Sequence, residues 1–570
     1  MTQRAARGSG SSGDRGLPGR GSRQRPGRVR LTRPLAAVAA LSLAWGLVSP
    51  LAGVAQAAPD TGLVQYVNTL VGTTSSATIA GPTRPNGSIH PSPETLSPDN
   101  GGYTPGNAVV GFGQLYSQGT GGTQSYGNFL LSPQTGGVET TEANHASPVT
   151  GEAGSADYYT ATLSRYGIKT EITPTDNAAL YRFTYPAAAD SSLVLDLSRK
   201  IGGSVALKSG GSVTIDQANH LITGGGRFGS NWNPAQWDMY FALRYDKTPS
   251  EVGTWDAGGR HAGTTSQTAA TTRLGAYLTF PTTAGEAVNV KIAISFVSAA
   301  NATELLDEQI PAWDFDATRA AAGTAWNEIL DDVELGGAVT EAQKAKFYTA
   351  LFHTNVQPRD RVADNGYWDD YYTLWDSWKT VFPFLSLTRP AMVGENINSF
   401  IKRYQDNGYI AETFTSGKEF LSGQGGNEAE NVVADAFLKR VPGVDWEAAY
   451  AAVKGDSQAL RSAQYVNTGY HYSGATALNG LTYASRIKPA SATMGFAIND
   501  HSLAVMAKGL GKTADAATYS ARAQNWKNVW DASMTADGFS GFAHNRNQDG
   551  TFPTTTATSG YNTDYYEASI

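Results

Sequence analysis

Two hydrophobic rhythms divide the chain. From about Asp60 to Ser298, segments of alternating apolar and polar residues are broken by Gly, Pro, Asn and Asp; "YTATLSRYGIKTEITPTDNAALYRFTYP", "SSLVLDLS", "QWDMYFALRYDK" and "AVNVKIAISFVS" are examples. A period of two puts successive side chains on opposite faces of a strand. Short strands separated by turn residues predict an antiparallel β-sandwich. Around Asn301 the rhythm changes. "ATRAAAGTAWNEILDDVEL", "TEAQKAKFYTALFHTNVQ", "RPAMVGENINSFIKRYQDN", "GNEAENVVADAFLKR", "VDWEAAYAAVKGDSQALR", "ATMGFAINDHSLAVMAKGLG" and "DAATYSARAQNWKNVWDASM" carry apolar residues at i, i+3, i+4 and i+7, the stripe of a helix with one buried face. No fixed repeat length relates these helices. Antiparallel helices with loops of varied length suggest a toroid or solenoid, and the alternative is a plain bundle without a cleft. The expected class is α+β and multidomain, a sandwich followed by a helical toroid.

The first 57 residues stand apart. They hold nine Arg and one Asp, and an apolar run from Pro34 ends in Ala55-Gln56-Ala57. Small residues flanking one position after such a run mark a signal-peptidase site, with Ala58 as the first mature residue. The expected division is a leader with signal peptide at 1–57, a sandwich at 58–300, a helical linker at 301–340 and the toroid at 341–570. Without the leader, 34 basic residues face 49 acidic ones, a formal charge of −15. So acidic a surface is ill suited to a phosphate backbone, and no membrane association is expected after cleavage. There is no cysteine, which excludes thiol nucleophiles, Cys-ligated zinc and iron–sulfur clusters. An exported chain without disulfides depends on large cores.

Candidate chemistry concentrates in a few segments. "DNGYWDDYYTLWDSWKTVFPFLSL", Asp364 to Leu387, mixes three Trp with five Asp or Lys charges. Pyranose faces stack on aromatic rings while sugar hydroxyls bond to carboxylates, so Trp375 and Asp376 are read as a sugar-binding surface. The alternative is that Asp376 caps a helix start. Trp368, Asp369 and Asp370 read as rim or loop residues. "RPNGSIHPSPETLSPDNGGY" and "GFGQLYSQGTGGTQSYGNFLLSP" are Pro- and Gly-dense loops without the phosphate-binding GxxxxGK[ST] pattern. The eight His are scattered, with no HExxH pair, and His353 reads as a helix-packing residue. No Ser sits in a GxSxG elbow. Near the end, Glu567 lies among Tyr561, Tyr565 and Tyr566. An apolar aromatic setting raises a carboxyl pKa, which suits a general acid. An exposed tail carboxylate is the alternative.

Taken together, "VNTLVGT", "PNGSIHPSPET", "GFGQLYSQGTG", "LWDSWKT" and "GNEAENVVADAFLKR" resemble, in order, segments of glycoside hydrolase family 92. These are secreted, calcium-dependent exo-α-mannosidases, and the resemblance runs from about residue 62 to the end. It implies a sandwich packed on an (α/α)6 barrel. It also implies removal of terminal α-linked mannose, α-1,2 in the first instance, from mannose-containing glycans by an inverting mechanism. By that resemblance Trp375, Asp376 and Lys379 bind the sugar, and Glu567 is the general acid. A Ca2+ ion would hold sugar hydroxyls through oxygen ligands. Departures are visible. Gly113-Gln114-Leu115-Tyr116 stands where the family has Ser-His-x-His, Lys379 replaces an Arg, and Ala568 replaces a Gly. Family members continue past the Glu567 segment into the main calcium loop and the segment of the base. The resemblance therefore implies a chain lacking both, with an incomplete toroid of which 341–570 is the N-terminal part only, which by itself would not hydrolyse mannosides. Other readings are a non-catalytic glycan-binding protein, or a hydrolase or phosphorylase of similar architecture acting on other α-glycosides.

Overall fold

The computed structural model describes residues 62–75, 78–116, 126–199, 201–202, 206–229, 236–415, 418–420, 428–458, 489–544, 551–552 and 554. Within Asp60–Ile570, which forms one compact unit, an antiparallel β-rich domain precedes a helical one. Glu567 lies outside the described residues.

Among the described residues the β-rich domain holds two large sheets, one of seven strands and one of nine, with every neighbouring pair antiparallel. The alternation read from sequence decides what each face buries. In the strand Ala178–Tyr185, the side chains of Ala179, Tyr181, Phe183 and Tyr185 enter the core between the sheets. Ala178 and Leu180 point the other way, onto Leu305 and Leu306 of the helix Ala299–Gln309. That helix covers the outer face of the larger sheet, so several strands are buried on both faces. The inter-sheet core joins Phe112, Leu193, Leu195 and Leu278 of one sheet to Tyr181, Met239, Phe241 and Ile292 of the other. A fully buried Leu, Ile or Phe side chain contributes about 1.5–3 kcal/mol, so a core of this size can hold the domain without disulfides.

Helix ends follow local chemistry. Ser298 and Asp314 cap the helices Ala299–Gln309 and Phe315–Leu330 through their side chains. Thr340 and Gln343 form a reciprocal capping box on Glu341–Thr354. Pro390–Asn407 begins on Pro, whose missing N–H costs nothing there, and stops at Gly408 in the left-handed region, φ 79°. Glu428–Leu438, Trp446–Asp456 and Pro489–Gly509 supply Val432, Val453, Leu503 and Met506 to the second large core, with Leu385, Val393 and Phe400.

The helix expected through "NWKNVWDASM" does not form. Thr513–Arg522 passes into a 3-10 turn at Ala523–Val529, and Trp530–Ala536 is a strand paired with Phe539–Ala543. Asp537 and Gly538 both take positive φ, 49° and 81°. An Asp-Gly pair in that conformation makes a hairpin turn, and this local signal overrides the helical spacing before it. Five short strands among the described residues between Arg359 and Phe420, in two small sheets, are equally unforeseen.

Candidate functional site

The segment rich in Trp and Asp begins as a hairpin, Arg359–Arg361 paired with Tyr367–Asp369. It continues through Asp370 into Tyr372–Thr373, which pairs with Thr413–Thr415. The Leu374 N–H donates to the Glu412 carbonyl at 2.8 Å, and the Tyr371 hydroxyl donates to the Ala411 carbonyl at 2.8 Å. These bonds fix the path of the chain just before the short helix Leu374–Ser377. A cavity of about 360 Å³ opens here, a size that suits a small ligand. Tyr371, Thr373 and Asp376 line it from this segment, with Val381 and Phe382 following. His353 and Thr354 contribute from the end of Glu341–Thr354.

Asp376 is exposed, in the first turn of its helix rather than at the cap. Thr373 holds the cap position, yet its hydroxyl donates to the Asp376 Oδ2 at 2.5 Å instead of bonding the helix backbone. A carboxylate accepts up to about four hydrogen bonds, so Asp376 keeps capacity for hydroxyl donors in the cavity. Trp375 is half-buried on the same turn and is not among the residues lining the cavity. Lys379 is exposed, its ammonium 5.6 Å from the centroid of the Trp378 ring. Of the sugar-binding residues expected from sequence, the structure brings Asp376 to the cavity.

His353, a packing residue by its sequence setting, is also cavity wall. Burial pushes its ring down to about 4, against a hydrogen bond to the Val71 backbone that pulls the other way. The imidazole is therefore neutral at neutral pH, able to donate or accept toward a polar ligand without a charge.

Trp368, Asp369 and Asp370, expected on a rim or loop, are 4%, 1% and 1% exposed. They lie in a charged network at the junction of the two domains. The Arg361 guanidinium bonds Asp370, reaches Asp369 at 3.4 Å and donates to the Ser88 hydroxyl at 3.2 Å. Arg403 bonds Asp369 and the Trp368 carbonyl. Tyr126, from the sandwich, donates its hydroxyl to Asp370 at 2.8 Å. Burying such charges is tolerable only when each is paired; Arg361 lies on the same hairpin, whereas Arg403 and Tyr126 are distant in sequence. Nothing in the local pattern shows them.

The loop "RPNGSIHP" is a clasp between the domains. Asn86, at φ 55°, accepts from the Asp360 N–H and donates to the Asn355 and Pro358 carbonyls at 2.7–2.8 Å, while Arg389 donates to its side chain. His90 accepts from Arg359 at Nδ1, 3.1 Å, and pairs through Nε2 with the Gly81 carbonyl at 3.0 Å. Burial, then the Arg359 charge, hold its ring well below the usual range, so Nε2 carries the proton. In the second loop, Gln114 and Tyr116 are fully buried. Gln114 bonds the Phe112 and Phe129 carbonyls and accepts from Tyr181. Tyr116 donates toward Glu94 at 3.3 Å. Both serve the sandwich interior.

The resemblance implies a calcium ion held by oxygen ligands. Among the described residues no three His, Asp or Glu side chains gather where they could hold a metal ion. Nor is any described helix long and apolar enough to cross a membrane.

Comparison with known proteins agrees with both domains. Residues 66–295 match the glycosyl hydrolase family 92 N-terminal domain, and residues 301–570 match the family 92 catalytic domain. A family 92 α-mannosidase structure from Bacteroides thetaiotaomicron, in complex with mannoimidazole, is 25% identical. It aligns over 88% of this chain and 67% of its own with a TM-score of 0.76. An inverting mannosidase of the family from the same bacterium, 22% identical, shares the fold over 90% of this chain and 70% of its own, TM-score 0.76. A protein of Arthroderma benhamiae described as an uncharacterized secreted glycosidase is 25% identical over 545 residues, 86% of this chain. The chain spans 66% of that relative's length. The chain belongs to glycosyl hydrolase family 92.

Proposed function

We propose that this protein is an exported glycosidase that removes terminal α-linked mannose from glycans, with α-1,2 linkages as the first substrate to try. The observation that carries the reading is Asp376. It lies in a segment with the family's Trp-Asp pattern and opens onto a cavity of about 360 Å³, in a chain whose two domains both match family 92. Bacteroides thetaiotaomicron relatives described as mannosidases supply the sugar.

In the proposed division, the sandwich occupies 58–300, a helical linker 301–340 and the catalytic domain 341–570. Asp376, braced by Thr373, accepts hydrogen bonds from hydroxyls of the terminal mannose. Tyr371 and Phe382 lend apolar surface to the cavity, and Trp375 and Lys379, on the same segment, are proposed to bind the sugar as well although neither lines the cavity. Glu567 is the proposed general acid, protonating the leaving oxygen. Inversion would need a carboxylate base about 6.5–9.5 Å from that acid to activate water. Calcium dependence belongs to the proposal as well, and its test is chelation.

The experiment is mannose release by the native secreted protein from α-1,2-mannobiose, beside an α-glucoside panel with and without phosphate. Each assay is run with calcium and again after chelation. Release from α-mannosides alone, lost in Asp376→Asn and Glu567→Gln, is the expected result. Binding without release would leave a glycan-binding protein. Cleavage of α-glucosides, or phosphate dependence, would replace the substrate assignment.

A further inference from the structure

The contact between Tyr126 and Asp370 joins two residues 244 positions apart, one in each domain. Tyr126 is wholly buried, packed edge-on against Trp237 at 5.4 Å and Phe296 at 6.2 Å. Its hydroxyl lies 2.8 Å from Oδ1 and 2.9 Å from Oδ2 of Asp370. Both residues adopt left-handed backbone conformations, φ 68° for Tyr126 and 45° for Asp370. A bulky residue with positive φ is an outlier, and such strain persists where surrounding contacts over-determine it. Asp370 is fixed from three sides, by Tyr126, by Arg361 and by Arg359 at 3.9 Å. From this fixed point the chain runs directly into the cavity wall, through Tyr371 and Thr373 to Asp376.

We propose that Tyr126 is a positioning residue: by holding Asp370 in its left-handed conformation, the sandwich domain sets the place of Tyr371, Thr373 and Asp376 in the sugar-binding cavity. Arg361 balances the Asp370 charge and also reaches the sandwich through the Ser88 hydroxyl at 3.2 Å. Tyr126 is a sandwich side chain that bonds the Asp370 carboxylate directly. Burial and the neighbouring Asp370 charge raise its phenol well above the ordinary value, so it donates throughout the physiological range. A group displaced by about 1 Å from its working position can cost up to about 10²-fold in function. Removing one hydroxyl can therefore be felt in a cavity that it does not touch.

The sugar arm of the test rests on the function proposed above, and the second arm does not. Calorimetric titration of α-1,2-mannobiose is run on wild type, Asp376→Asn, Tyr126→Phe and Tyr159→Phe. The last variant removes an equally buried sandwich hydroxyl, one that donates to Glu152 at 2.6 Å. Tyr126→Phe should weaken binding by roughly threefold or more, with Tyr159→Phe unchanged even if both lower the melting temperature. If Asp376→Asn abolishes binding while Tyr126→Phe leaves it at the wild-type value, the positioning role is overturned and the cavity assignment stands. If no variant alters binding, the cavity assignment fails, and hydrogen exchange of the peptide spanning Tyr371–Phe382 decides the positioning claim. Faster exchange in Tyr126→Phe than in Tyr159→Phe supports it, and equal rates in the two variants overturn it.

Discussion

The neutral imidazole in the cavity wall gives a prediction with a definite sign. His353 titrates at about 4 in the folded protein because burial disfavours its charged form, against an ordinary value of 6.5. Between those values the unfolded chain binds more protons than the folded one. Stability is therefore fully present above about pH 6.5 and is lost as pH falls toward 4. From pH 7.5 to 5.0 the two pKa values translate into a loss of about 2 kcal/mol from this ring. His353→Gln removes the titration while keeping a polar side chain of similar reach. The expected result is that its urea midpoint, relative to wild type, improves on acidification by an amount equivalent to about 2 kcal/mol. Carbon-13 label at the histidine Cε1, assigned by the signal missing in the variant, should show a midpoint near 4. A midpoint at the ordinary value, with no pH-dependent difference in stability, would refute the burial of this ring.

Four further outcomes follow from buried, exposed and strained polar groups. Arg361→Met strands Asp370 without its main cation, and should destabilise by about 3–5 kcal/mol in chemical denaturation. Lys402→Met, which loses a half-exposed pair with Asp406, should shift the denaturation midpoint far less than Arg361→Met does. Asn86→Ala loses the side-chain bonds of the interdomain clasp and also strains a position at φ 55°, whereas Asn86→Gly loses those bonds alone. Ala should therefore be the less stable of the two by about 1 kcal/mol in a thermal melt, and equal stability would show that the strain is absent. At Glu171, burial pushes the carboxyl up, but hydrogen bonds from Arg182, Tyr158 and Lys169 prevail and hold it at about 2. Its stabilisation is present above about pH 4.5 and fades as pH falls toward 2. Glu171→Gln should cost about 1–2 kcal/mol at pH 7, after allowance for solvent screening, and about half that at pH 3.

The sequence showed the parts of the molecule in which local chemistry decides. Alternation in "NAALYRFTY" separates core-facing Tyr181 and Phe183 from helix-facing Leu180, and the residues Thr340, Gln343 and Gly408 announce their helix ends. Hidden from it was whatever depends on partners far along the chain. Asp369 and Asp370 look like surface residues until Arg403 and Tyr126 close around them. The Asn86 loop reads as a turn until Pro358 and Arg389 reach it. The strand Trp530–Ala536 carries helical spacing, and the Asp537-Gly538 turn after it was the overlooked signal. In the candidate site, Asp376 was legible through its Trp-Asp setting. His353 was not, because one histidine on a helix gives no sign of which cavity it will meet.

The most direct measurement is the affinity of α-1,2-mannobiose for wild type and for Asp376→Asn, by calorimetric titration at pH 7. Saturable binding by the wild type, weakened on the order of tenfold or more when the carboxylate becomes an amide, is the expected result. Equal affinity in the two proteins would contradict the assignment of this cavity to the terminal mannose.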